Sequence, residues 1–92
     1  MRISFDSAAN DDLDSVFAWI AKDDVPAAYE TMSRIEDQIA RLETAGLEDM
    51  GRPGLIEGTR ELLEHPYIVV YRLIAQRDEI IILSVVHSSQ DR

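Results

Sequence analysis

Ninety-two residues, 46% of them hydrophobic, make one small domain with a single core and exclude a disordered chain. The absence of cysteine, with only two isolated histidines, excludes disulfides and a thiolate- or histidine-built metal site. A formal charge of −9 argues against a protein that grips nucleic acid through its phosphates.

No run approaches the roughly 18 apolar residues that a membrane span needs, so no membrane association is expected. No basic-then-apolar leader is visible, and the expected compartment is the cytoplasm. The charge is uneven: residues 1–51 hold twelve acids against four bases, and residues 52–92 hold six against five. Acids on solvated helix faces serve solubility; an acidic surface would also attract a basic partner.

Residues 1–5 read as a short edge strand, with Ile3 and Phe5 on one face by alternation. Ser7 offers a hydroxyl to cap a helix, and Asp11, Asp12 and Asp14 follow in its early turns, where the dipole favours negative charge. Leu13, Val16, Phe17 and Ile20 recur at helical spacing as one apolar stripe. Trp19 falls off the centre of that stripe, either flanking the core or standing exposed as an anchor for a partner.

Asp24 is a second cap, and Pro26 suits a first helical turn. The second helix is expected over residues 25–44, stopping at Gly46. Ala28, Met32, Ile35, Ile39 and Leu42 form its apolar face. The short break between the helices folds them back as an antiparallel hairpin. Residues 47–57 read as an irregular connector, with Gly51, Pro53 and Gly54 keeping it out of regular structure.

Gly58 then gives backbone freedom to enter a brief strand over residues 59–63. His65 and Pro66 make a turn. Residues 67–73 are aromatic and β-branched, as a pleated sheet prefers. Gln76, Arg77 and Asp78 form a polar break of hairpin length. Residues 80–86 are apolar except Ser84, which suggests a strand covered on both faces, or at least a central one. The order is β–α–α–β–β–β: a single α+β domain over residues 1–92, its N-terminal helical hairpin packed on a small, mainly antiparallel sheet. The helical stripes should be buried against Val69, Tyr71, Ile81 or Leu83, according to strand parity.

Several short pieces in this order resemble one family. They are Gly58-Thr59-Arg60-Glu61-Leu62, the run from Tyr67 to Arg72, and Val86-His87 followed by Gln90-Asp91-Arg92. Together they resemble the RelE/ParE superfamily of toxins from bacterial type II toxin–antitoxin modules, and its ParE branch in particular. The chain departs from the family pattern in reading Phe5-Asp6 where an aromatic–serine pair is usual, and in being acidic where members are commonly basic.

The resemblance implies a toxin that poisons DNA gyrase by binding, without cofactor, metal or catalytic residue. It implies neutralisation by a cognate, ParD-like antitoxin. The rival branch implies a RelE-like ribosome-dependent endoribonuclease, whose chemistry needs acid–base groups and cations around the scissile phosphate. Where that branch carries basic residues, this chain has Ile68, Ser88 and Ser89. A toxin-fold binding module without toxicity is a third reading. Arg60, Arg72 and His87 are the candidates for the target surface. Arg60 equally suits an ion pair with a neighbouring glutamate, and His87 a hydrogen bond at a strand end. Leu13 and Trp19 are the candidates for the antitoxin surface, which an amphipathic helix and an edge-pairing extended segment would occupy.

Overall fold

The computed structural model describes residues 1–89; Gln90, Asp91 and Arg92 lie outside the described residues. The elements run β1 (Arg2–Phe5), α1 (Ser7–Ala21), α2 (Val25–Arg41), β2 (Arg52–Pro53), β3 (Arg60–Glu64), β4 (Tyr67–Ile74) and β5 (Glu79–His87). As the α+β reading expects, both helices pack on one face of one sheet, ordered β1-β5-β4-β3-β2. β2 to β5 pair antiparallel, and β1 closes the far edge parallel to β5.

Asp6, and not Ser7, caps α1: its Oδ1 accepts from Ala8 N at 2.9 Å. The carboxylate satisfies an N–H that the first helical turn leaves open, and Ser7 becomes the first helical residue. Asp24 caps α2 as expected, accepting from Ala27 N at 3.0 Å, with Pro26 in the first turn. The second helix is shorter than its sequence suggests. After Arg41 the backbone bonds tighten to three-residue spacing at Leu42, Glu43 and Thr44, before Gly46 turns the chain at φ +88°.

The core joins Leu13 and Val16 of α1 and Ile35, Ile39 and Leu42 at α2 to Leu62, Val69, Tyr71, Ile80, Ile82 and Val85 of the sheet. Phe17 and Ile20 are only half-buried; Phe17 packs edge-on against Tyr29 of α2, ring centroids 4.9 Å apart. The parity of β5 is the opposite of that offered above. Ile80 and Ile82 face the helices, while Ile81 and Leu83 do not enter the core. A bulge explains the phase: Tyr71 pairs with Ile82 and Val70 with Ser84, so Leu83 is the extra residue and Val85 returns to the core face.

Two further differences concern the sheet. β5 is central, but helices cover one face of it and not both. The supposedly irregular connector contributes β2, whose two residues pair with Glu61 and Arg60. Proline is tolerated there because β2 lies at the sheet edge.

Candidate functional site

β1 stops at Phe5, opposite Ile82, so β5 runs on past it with no strand neighbour on that side among the described residues. Helix α1 fills the place partly: Asp12 Oδ2 accepts from Val85 N at 2.9 Å. This bond satisfies an N–H that would otherwise stand open at a sheet edge. Between α1 and the end of β5 lies a cleft of about 460 Å³, lined by Asp12, Ser15, Trp19, Tyr67, Val86 and His87 among others.

Trp19 is 69% exposed at the mouth of this cleft, with Lys22 Nζ 5.1 Å from its ring centre. Leu13 is turned the other way, 9% exposed within the core. Of the two antitoxin-surface candidates, only Trp19 therefore presents its side chain to a partner. His87 lies in the same cleft, edge-on to Tyr67 with ring centroids 5.4 Å apart. Its Nδ1 accepts from Ser89 N at 3.1 Å and lies 2.7 Å from Ser89 Oγ. The ring is held by local hydrogen bonds.

Asp12, Ser15 and Trp19 were not grouped from sequence, though the signal exists. They stand at i, i+3 and i+7 on α1, a stripe running beside the apolar one.

The structure sends Arg60 and Arg72 elsewhere. Arg60 Nη1 donates to Gly51 O at 2.6 Å and to Asp49 O at 3.1 Å. It clamps the connector to β3; the glutamate ion pair considered above is formed instead by Arg52, 3.1 Å from Glu61. Tyr71 completes the clamp by accepting from Gly51 N at 3.0 Å. Gly51 has no room for a side chain, since a Cβ would meet Glu61 O and Tyr71 Oη at 2.8 Å. Burial pushes the Tyr71 phenol above its ordinary value of 10.0, against smaller lowering effects of the Gly51 hydrogen bond and the Arg60 charge. Arg72 is exposed on the helix-free face, without a hydrogen bond or ion pair among the described residues.

Where the nuclease branch would carry cations, Ile68 is buried and Ser88 and Ser89 are exposed. Among the described residues, no group of acids and histidines could hold a metal ion, and no helix is long and apolar enough to cross a membrane.

Residues 3–92 match the family model described as the ParE toxin of the type II toxin–antitoxin system parDE. The chain belongs to the ParE toxin family. ParE toxins are not enzymes. The chain is also 42% identical over 80 residues to the protein named "Putative toxin Y4kP" of Sinorhizobium fredii (strain NBRC 101917 / NGR234), covering 85% of this chain and 78% of that one. The ParE fold is matched at a TM-score of 0.82 by a chain of the chromosomal ParDE toxin–antitoxin system of P. aeruginosa, 27% identical over 95% of both chains. A chain of the RelBE2 toxin–antitoxin complex of Mycobacterium tuberculosis shares the fold at a TM-score of 0.59 and 24% identity, covering 94% of this chain and 95% of that one.

Proposed function

We propose that this ParE-family toxin inhibits DNA gyrase by binding it, and that a cognate antitoxin neutralises it by seating on the α1–β5 cleft. The observation that carries the antitoxin reading is the conjunction of exposed Trp19, the cleft beside it, and a β5 edge that α1 fills only in part past Phe5. A helix with apolar anchors every third or fourth residue fits such a cleft, and an extended segment can pair with an open edge. Asp12 and the other acids of the helical half favour a segment rich in lysine and arginine.

The side chains support binding, as against RNA cleavage. A phosphorane needs cations close to it, and buried Ile68 with Ser88 and Ser89 supplies none. Family membership points to gyrase as the target.

Two measurements test this reading. Purified toxin should inhibit supercoiling of relaxed plasmid by bacterial gyrase, and should leave a translated message uncut in toeprinting. Codon-specific cuts at the ribosomal A site would refute it. Association of the antitoxin encoded by the neighbouring reading frame should slow steeply between low and physiological salt while dissociation changes little. Salt-independent association, or an acidic antitoxin tail, would remove charge from the recognition.

A further inference from the structure

The helices cover only one side of the sheet. On the other, Leu63, Ile68, Val70, Ile81, Leu83 and Val86 form an aliphatic field across β3, β4 and β5. None of the six belongs to the core cluster or packs against it. Ile68 is buried and Leu63 is 51% exposed; the other four are half-buried. Ser84, which pairs with Val70, interrupts the field, and aliphatic residues gathered on a helix-free sheet face suit an interaction surface.

Its charge sets it apart from the rest of the molecule. Strand register places Arg2, Arg52 and Arg72 on this side, against Glu61 and Glu79. Glu61 is taken by Arg52 at 3.1 Å, and Glu79 accepts from Ser4 Oγ at 2.9 Å. The face carries one surplus positive charge in a chain of −9, which leaves a sum of −10 for the rest of the chain. Arg72 stands at the edge of the aliphatic field beside Gly58, where a Cβ would come within 4.0 Å of its Nε. Leu55 and Ile56, each 68% exposed, precede Gly58 in the same loop.

This chemistry selects the kind of partner. Single-stranded nucleic acid asks for aromatic platforms and a run of cations, but Tyr67 and Tyr71 both face the helices, and the exposed arginines Arg2, Arg52 and Arg72 stand on three separate strands. An acidic protein is repelled by the helical side and can approach only here. We infer that the helix-free face is the surface by which the toxin grips its target protein, through an aliphatic patch on the target with a carboxylate seated against Arg72. The inference rests on the reading of the chain as a toxin that binds a protein; it does not require that protein to be gyrase. It also sets the two partners apart, antitoxin at the α1–β5 cleft and target on the opposite side of the sheet, with Val86 of β5 at the border of both.

The test uses the full chain with Arg72→Glu, Arg72→Ala and Leu83→Asp, and Trp19→Ala as the reciprocal control. Each is read by growth arrest on induction, by inhibition of bacterial gyrase on relaxed plasmid, and by unfolding midpoint. Arg72→Glu should raise the inhibitory concentration about tenfold or more and relieve growth arrest, with the midpoint unchanged, because a reversed charge at a desolvated contact is repulsive. Arg72→Ala should act in the same direction and less, and Trp19→Ala should remain toxic. Because Arg72 is exposed, its variants stay informative even if Leu83→Asp fails to fold. Full toxicity of both Arg72 variants overturns the inference, as does loss of toxicity confined to Trp19→Ala. If the unsubstituted chain arrests growth yet leaves gyrase untouched, gyrase falls as the target; arrest relieved by Arg72→Glu still upholds the face.

Discussion

Ile80 and Ile81 are neighbours on β5 with the same side chain, and they live in different surroundings. Ile80 is sealed beneath the helical hairpin, whereas Ile81 is half-buried on the open side of the sheet, level with Arg72. The same alternation runs along β4, where Tyr71 is fully buried and Arg72 is exposed. On the covered face, aliphatic residues remove area from water and hold the domain together. On the open face, the same residue types gain less from folding and remain available to a partner. Stability and recognition are thus divided between successive residues of one strand, as the two-residue period of a pleated sheet allows.

The sharpest way to break this comparison is to truncate both isoleucines. Ile80→Ala should cost about 2–5 kcal/mol in urea unfolding, because it leaves a cavity the helices cannot fill. Ile81→Ala should cost less than half as much. Equal costs would mean that the open face is packed too, and would leave no free surface to bind with.

A smaller effect tests the clamp behind β3. Tyr71→Phe keeps the ring and removes the oxygen that accepts from Gly51 N, so a buried donor loses its partner, at about 1–3 kcal/mol. The pH dependence has a definite sign. The folded-state pKa of Tyr71 is raised, so the folded chain favours the neutral phenol. Its contribution is fully present below the unfolded value of 10.0 and is lost as pH rises through the higher folded value. Urea unfolding followed from pH 8 to beyond 10 should show an alkaline loss in the native chain that Tyr71→Phe reduces. An alkaline loss of the same size in the variant would assign it to other groups.

Smaller again is the cap of α2. Asp24→Ala should cost about 1 kcal/mol, since one open N–H of the first turn loses its acceptor. A cost near zero in thermal unfolding would show that Pro26 and packing set the helix start without the carboxylate.

These comparisons also locate where the sequence stops being legible. The helical hairpin could be read from apolar spacing and from Asp24, because both signals lie within a few residues of what they determine. The parity of β5 could not. Residues 80–86 are aliphatic on both faces, and the bulge at Leu83 shifts the phase through pairing with β4, which no local pattern encodes. β2 was missed because two residues become a strand only when Glu61 and Arg60 lie beside them. The cap moved from Ser7 to Asp6 because either side chain can serve and the chain's entry from β1 decides. Trp19 was visible as a residue off the apolar stripe. The position of Arg60 was not, since its carbonyl partners are fixed by the folded connector. Of the three target-surface candidates, the fold leaves Arg72 on the open face, takes Arg60 into the connector and puts His87 in the cleft with Trp19.

The smallest expected effect on stability belongs to Trp19, and it separates the cleft most cleanly from the core. Its indole is mostly exposed, and its cation–π contact with Lys22 lies in solvent, where such contacts contribute about 0.5–1 kcal/mol. Trp19→Ala should therefore shift unfolding by no more than roughly that amount. In binding, the expectation reverses. An exposed tryptophan beside a cleft is the kind of side chain on which interface affinity concentrates, and its truncation should weaken antitoxin binding by about 2 kcal/mol or more, roughly thirtyfold. Isothermal titration with the antitoxin, beside thermal unfolding of the toxin alone, reads both quantities on one variant. A large loss of stability would place Trp19 with the core, and undiminished antitoxin affinity would move the antitoxin away from the α1–β5 cleft.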